Sequence, residues 1–232
     1  MSKRTGETGG TRSLPLALGL IALLLAGCGG GGSKYDIPPG ALDYVSQQQL
    51  DKLAALGLPI NQGLTPPDVQ GAYYANSMIR AATSVPGDTI TTFANESFSL
   101  SGQAADNTVS VSYVQGPESG DGLGSFVSGS GSHFTIFTQI TGLYSDIAFK
   151  DAMLLSGEIA ADGIHDLRQG LLLTQKGDDP TNLVLLVGQA RVIAESDGLA
   201  ARTTTSSALT SARPAALADG DGAPRPGGAG AR

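Results

Sequence analysis

The sequence is poor in the residues that build disulfide and zinc sites. Cys28 is the only cysteine among 232 residues, and there are two histidines and no tryptophan. A single cysteine excludes an intrachain disulfide framework, and so few histidines exclude the usual zinc sites. Charged residues make up 15% of the chain and the formal net charge is −7, which argues against the basic face of a nucleic-acid-binding protein.

Long hydrophobic runs are also scarce. The one clear run spans residues 14–26 and follows the positive residues Lys3, Arg4 and Arg12. A bilayer core of about 30 Å requires roughly 20 apolar residues in a helix, so this run is too short for a permanent transmembrane segment. A positive start followed by a short apolar run predicts a secretory signal peptide over residues 1–27.

The end of that run carries a recognisable motif. Leu25, Ala26 and Gly27 precede Cys28, and this segment resembles the lipobox of bacterial lipoproteins. The resemblance implies cleavage before Cys28 and attachment of fatty acyl chains, such as palmitate, through its thiol. The alternative is an ordinary signal peptide with an incidental cysteine, or a cysteine that is not cleaved off and lies in the core.

Residues 28–40 then form a predicted lipidated and flexible tether, which is rich in glycine between residues 29 and 33. Gly29, rather than an aspartate, follows the cysteine. By resemblance to Gram-negative lipoproteins, this favours transfer to the outer membrane. The predicted partner is therefore the membrane itself, which the protein would contact through the lipid on Cys28.

The next segment, residues 41–68, predicts one short helix and a proline-rich lead-in. Apolar residues recur at helical spacing over 41–56, and Gly57 is a suitable stop. Residues 57–60 read Gly-Leu-Pro-Ile, residues 65–67 read Thr-Pro-Pro, and residues 69–73 read Val-Gln-Gly-Ala-Tyr. This arrangement resembles the opening of Gram-negative envelope lipoproteins with lipocalin-like (calycin-like) barrels, with a weaker echo at residues 191–198.

Strand patterns dominate residues 69–198. Thr108–Gln115 alternates, with Val109, Val111 and Tyr113 on one face, and similar alternation follows over 133–140 and 145–155, where Asp151 interrupts it. The continuously apolar segments 171–174 and 183–187 predict strands that are buried on both sides or cross the core.

Frequent turn signals without intervening helices predict an antiparallel meander. The predicted fold is mainly β: a small antiparallel up-and-down (calycin-like) β-barrel, preceded by one short helix and followed by a disordered tail over residues 199–232.

Candidate site residues are few. No motif of a nucleophile, metal centre or phosphate-binding loop is present, so no catalytic residue, metal site or cofactor is predicted. Asp146, Asp151 and Glu158 are interpreted as part of the solvated face of the barrel; the alternative is a paired-carboxylate site. Weak ligand-binding candidates in the interior or at the rim of the barrel are Tyr73, Tyr113, Phe134, Ile136, Phe149 and His165.

Two functions follow from this pattern. The first is a lipid-anchored envelope protein whose barrel binds a small apolar ligand, since a small barrel can enclose one. The second is a structural or interaction protein with a filled barrel that contacts another envelope protein. An enzyme is the least favoured class, because no catalytic constellation is recognisable.

Overall fold

The computed structural model describes residues 33–204. The predicted signal peptide, the lipobox with Cys28 and all but the start of the predicted tail lie outside this range. Mainly antiparallel β structure with a short helical lead-in is confirmed. Neither helix between residues 33 and 204 has the length and apolar character that crossing a membrane requires.

The helical segment is divided in two. It consists of α1 (Ala41–Tyr44) and α2 (Gln47–Ala55), where the sequence predicted one continuous helix. Ser46 causes the division, because it adopts an extended conformation and caps α2: its side chain accepts a hydrogen bond from the backbone N–H of Gln49, whose side chain accepts one from the N–H of Ser46. This reciprocal capping box starts a new helix at Gln47.

Within residues 33–204, ten strands follow the helices in chain order. They are β1 (Gly71–Ala75), β2 (Met78–Thr83), β3 (Glu96–Ser101), β4 (Thr108–Gln115), β5 (Glu118–Ser130), β6 (His133–Tyr144), β7 (Ile147–Ile159), β8 (Gly163–Lys176), β9 (Ala190–Glu195) and β10 (Leu199–Thr203). The predicted bounds of β4 agree with the structure, and its alternate residues are buried as predicted.

The paired strands form a closed ring. Strands β1, β3, β4, β5, β6, β7 and β8 pair in that order, and β10 joins the two ends by pairing with both β8 and β1. The long strand β8 serves two neighbours: its first residues pair with β10 and residues 168–172 pair with β9, which in turn pairs with β2. Closure leaves no free edge on the strands of the ring itself.

Two apolar clusters lie on opposite faces of the sheet. The inner cluster fills much of the ring and includes the fully buried aromatic side chains Tyr73, Phe98, Tyr113 and Phe134. The outer cluster joins Leu50 and Leu53 of α2, among others, to the outward-facing side chains Phe137, Leu154, Leu172 and Val192. The helices therefore cover the outside of β6 to β9 by burying apolar surface.

Two segments differ from their predicted structure. Residues 183–187 form an irregular loop between β8 and β9 rather than a strand, and Leu183 and Val187 are more than half exposed. Residues 199–203 were assigned to the tail but form β10, with Ala200 fully buried. The side-chain pattern does not indicate this strand, because its position depends on backbone pairing with β1 and β8 rather than on large apolar residues.

Candidate functional site

A cavity of about 350 Å³ lies at one end of the ring. This is the end where β4 turns into β5 and β6 turns into β7, and the loops β2–β3 and β8–β9 cover it. Apolar lining residues are Ile90, Phe93, Ala94, Pro117, Phe149, Leu171, Leu173, Leu183, Val184 and Leu185; Thr92, Gln115, Glu118, Tyr144, Asp151 and Arg191 complete the wall. Its size and mixed lining are typical of a small-molecule site.

Strand register brings a row of polar side chains to this end. Glu96 on β3 pairs directly with Gln115 on β4, Gln115 pairs with Glu118 on β5, and Glu118 pairs with Tyr144 on β6. Directly opposite residues of antiparallel strands share one face of the sheet. The four side chains therefore form a continuous polar row across four strands.

Hydrogen bonds within the ring satisfy two of the acidic groups. The Tyr113 hydroxyl donates to Oε1 of Glu118 over 2.6 Å. The Nε2 amide of Gln169, on β8, lies 2.9 and 2.8 Å from the two carboxyl oxygens of Glu96, and Nε2 of Gln115 lies 3.4 Å from Oε2 of Glu96. Glu96 is thus held from two directions.

Asp151 differs from these two glutamates. It lines the cavity from β7 and is only 4% exposed. Its Oδ1 atom is buried and has no hydrogen-bond partner within residues 33–204. A buried carboxyl oxygen without a donor is costly, because it has lost water and gained nothing in return.

Burial dominates the electrostatics of this acidic cluster. Loss of solvent raises the pKa of Glu96 to about 8, against the lowering effect of its hydrogen bond from Gln169. Loss of solvent also raises the pKa of Glu118, and it raises the pKa of Asp151 well above its ordinary value, with the nearby Glu118 charge adding to the effect. Around neutral pH, Glu96 is therefore largely protonated.

One cationic side chain also lines the wall. Arg191, on β9, donates from Nε and Nη2 to the two carboxylate oxygens of Asp88 at 2.8 and 3.1 Å. The same carboxylate lies 3.3 Å from Nη1 of Arg80, on β2. Its hydrogen bond from Arg191, above all, holds the pKa of Asp88 well below the usual range. The guanidinium of Arg191 is therefore paired with Asp88, which links β9 to the β2–β3 loop. Its charge also acts on Glu118, whose pKa it lowers against the larger effect of burial.

The structure separates the six ligand-binding candidates of the sequence. Phe149 lines the cavity, and Tyr113 touches it through Glu118. Tyr73 stacks on Phe98 with ring centroids 5.2 Å apart and donates its hydroxyl to the Val69 carbonyl. The remaining candidates lie elsewhere: Phe134 and Ile136 are fully buried among other interior side chains, and the partly exposed His165 contacts Asp162 near the start of β8.

Sequence reasoning missed the buried acidic residues in and beside the cavity. Asp151 was interpreted as part of a solvated face, yet it is buried in phase with Phe149 and Met153 on the inner face of β7. Glu96 is likewise in phase with Phe98. An acidic residue at an inward-facing position of an otherwise apolar alternation was the available signal.

Within residues 33–204, no three His, Cys, Asp or Glu side chains are grouped so that they could hold a metal ion. A scan against protein-family models found no match, and neither did searches of curated proteins and of solved structures. The geometry of the cavity is therefore the basis for any functional conclusion. It offers hydrogen-bond acceptors inside a largely apolar chamber, which is suited to holding a small molecule.

Proposed function

We propose that this protein is a lipid-anchored binding module of the bacterial cell envelope that holds a small, largely apolar ligand in the ring of strands. The observation that carries the proposal is the cavity of about 350 Å³ with an unpartnered buried oxygen of Asp151 in its wall. A fully packed interior would contain neither a cavity of this size nor a buried carboxyl oxygen without a donor.

The construction of the wall supports ligand binding. Strands supply one side of the cavity, and two loops supply the other. Phe93 and Val184 from these loops pack against the inner apolar cluster. A rigid ring with loops at its open end allows a ligand to enter by loop movement while the strands keep their pairing.

Binding is tested by closing the cavity from its mouth. Ala94 is exposed and lines the cavity, so Ala94→Trp would occupy the entrance without disturbing the packed interior. The probe is N-phenyl-1-naphthylamine, a neutral apolar dye, added to the intact protein in a fixed detergent background. We expect saturable fluorescence with the wild type and its loss with Ala94→Trp.

The matched control is Ala104→Trp. Ala104 is an exposed loop residue between β3 and β4, at the opposite end of the ring, and this variant should bind the dye like the wild type. Native mass spectrometry of the intact protein adds a second measurement, in which a co-purified mass that Ala94→Trp lacks would support the proposal. Equal dye binding by the wild type and Ala94→Trp would overturn it.

The proposed anchor is Cys28, and the proposed location is the outer membrane of a Gram-negative bacterium. Support comes from the lipobox resemblance of residues 25–28 and the glycine-rich segment that follows. More than one acyl chain gives stable membrane attachment without a transmembrane helix. Cys28→Ser should abolish labelling by a palmitate analogue and remove the protein from the membrane fraction; unchanged fractionation would refute the anchor.

A second candidate function is binding of another envelope protein. The observation that favours it is the exposure of Leu183, Leu186 and Val187 on the β8–β9 loop, where these side chains are 48–60% exposed. Exposed apolar groups on one loop are typical of contact surfaces. Leu186→Ser combined with Val187→Ser would weaken such a contact in a cross-linking experiment. The same double variant should leave dye binding in the cavity unchanged, because neither residue lines it.

A further inference from the structure

The ligand cavity contains more acid than an apolar ligand requires. Carboxyl groups reach it from two strands, Glu118 from β5 and Asp151 from β7, and Glu96 on β3 is the cross-strand neighbour of the lining residue Gln115. A cavity for a hydrocarbon alone would exclude such groups, because burying a carboxyl without a donor destabilises the fold. Their presence indicates a ligand that brings hydrogen-bond donors.

The three acidic residues differ in whether their carboxyl oxygens already accept hydrogen bonds. Glu96 already accepts from Gln169 and Gln115, and Glu118 accepts from the Tyr113 hydroxyl. Oδ1 of Asp151 accepts from nothing within residues 33–204. Asp151 is therefore the position at which a ligand donor would gain the most, with Glu118 as the second acceptor.

The other charged and titratable groups around the cavity do not occupy this position. Arg191 is the basic lining residue among those described; its guanidinium is held by Asp88 in a two-point contact, and its charge also lowers the pKa of Glu118. Tyr113 on β4 already donates to Glu118, and Tyr144 on β6 also lines the cavity. The lining contribution of β8 is Leu171 and Leu173, which carry no charge.

We propose that the ligand carries one cationic head group, an ammonium or a guanidinium, seated between Asp151 and Glu118, with its apolar body against the leucines of β8 and the β8–β9 loop. This inference rests on the proposed function. A cation provides N–H donors and opposite charge to the two carboxyl groups at once. Tyr144 and Phe149 also line the cavity, and aromatic rings attract cations; the ring of Phe93 already has Arg191 over it, 5.9 Å from its centroid.

Binding of a cation should change the protonation of Asp151, and this change can be measured. Burial raises the pKa of Asp151, so in the empty cavity this carboxyl retains its proton to higher pH than an exposed aspartate. When the cation binds, the O–H bond of Asp151 breaks, the electron pair stays on the carboxylate, and the proton passes to the buffer. Binding should therefore release a proton and strengthen as pH rises.

The test uses three probes of one shape and three charges. They are 4-phenylbutylamine, 4-phenylbutan-1-ol and 4-phenylbutyrate, titrated into the intact protein by calorimetry in two buffers of different ionisation enthalpy. We expect the amine to bind at least about tenfold more tightly than the alcohol, as a charge-assisted hydrogen bond would give, with a buffer-dependent heat that reports proton release. The acid should bind most weakly.

A matched pair of variants separates the site from general attraction to an acidic protein. Asp151→Asn should abolish the preference for the amine and leave the alcohol bound. Asp146→Asn removes the same charge from the exposed β6–β7 turn at the same end of the ring, and it should keep the preference. Loss of the preference in Asp146→Asn, or its retention in Asp151→Asn, would overturn the proposal.

The remaining outcomes distinguish this inference from the proposed function. If the alcohol or the acid binds as tightly as the amine, and Ala94→Trp blocks them, the cationic head group is refuted while the binding function stands. If none of the three probes binds the wild type and the dye also fails to bind, both are refuted. The probe series and the proton release are measured on wild-type protein, so they decide the question even if Asp151→Asn does not fold.

Discussion

Gln169 and Glu96 meet across the interior of the ring, with the amide nitrogen of one lying 2.8 and 2.9 Å from the carboxyl oxygens of the other. Gln169 belongs to β8 and Glu96 to β3, and these strands are not neighbours in the sheet. The contact therefore joins opposite walls. It lies next to the cavity, since Glu96 pairs with the lining residue Gln115.

The free energy of unfolding should fall as pH rises from the ordinary pKa of a glutamate toward that of Glu96. Burial raises the pKa of Glu96 from 4.5 to about 8, so the folded protein retains a proton that the unfolded chain releases. The stabilisation is complete below the unfolded pKa and is lost as pH rises through the folded pKa. Between about pH 5 and about pH 8, the loss from this group should be on the order of 3 kcal/mol.

Urea unfolding of the wild type and Glu96→Gln at those two pH values measures this loss. Glutamine imitates the protonated acid, so the variant should lose less stability over the interval. Glu118 and Asp151 also have raised pKa values and remain in the variant, so its pH dependence should be reduced rather than abolished. Identical pH dependence in both proteins would show that Glu96 does not titrate in this way.

Asp88 should be required for the order of the β2–β3 loop. Its side chain is 3% exposed and contacts both Arg80 and Arg191. Asp88→Asn retains the shape but removes the charge that both guanidinium groups share, which should destabilise the protein by about 1–3 kcal/mol. Hydrogen exchange should increase over residues 84–95, and Asp166→Asn, at an exposed position on β8, should leave exchange there unchanged.

Asp88 also predicts a dependence at acid pH. Its hydrogen bond from Arg191 lowers its pKa, so its contribution is present above the ordinary aspartate value and is lost as pH falls through the lower folded value. Asp88→Asn should therefore lose less stability than the wild type on acidification. An unchanged acid limb of the stability curve would contradict this assignment.

Gly142 should not tolerate a side chain. A Cβ atom there would lie 2.5 Å from the carbonyl oxygen of Ser119 and 2.6 Å from Cζ of Phe149. Gly142→Ala should destabilise the fold by about 1–3 kcal/mol through overpacking, and it should displace the Phe149 ring toward the cavity. Gly177→Ala is the control, since its Cβ would meet nothing closer than 3.6 Å; comparable melting temperatures for the two variants would refute the packing argument.

Ser46→Ala should cost about 1 kcal/mol by removing the N-cap of α2. Its hydroxyl accepts from the Gln49 backbone and starts the helix whose Leu50 and Leu53 cover the outer face of the sheet. Ser46→Asp should restore most of the stability because aspartate also caps helices well. Thermal unfolding of the three proteins checks this, and equal stability of the alanine and aspartate variants would show that the cap contributes nothing.

The sequence predicts the fold where one face of a strand differs clearly from the other. In β4 the apolar residues Val109, Val111 and Tyr113 alternate with small polar ones, and both its bounds and its buried face are confirmed. Strand β10 has no such contrast, because Leu199–Thr203 is held by backbone pairing on both sides. Pairing of that kind leaves little trace in side-chain pattern.

The site could be predicted less well than the fold, and for a related reason. Hydropathy assigns Asp151 to solvent, whereas its alternation with Phe149 and Met153 assigns it to the interior, and the structure follows the alternation. In the opposite sense, the apolar residues at 183–187 predicted a buried strand, but they form a loop. A sequence pattern cannot state that a cavity is present, since a cavity depends on how distant loops meet.

The position of β10 has a kinetic consequence. The ring closes only when Leu199–Thr203 inserts between β1, near the start of the sheet, and β8. Until that late segment is available, β1 and the first residues of β8 present unpaired backbone edges. Contacts so distant in sequence form slowly, because the intervening chain must be ordered first. Truncation before Leu199 should therefore yield a species that associates through those edges rather than a smaller folded protein.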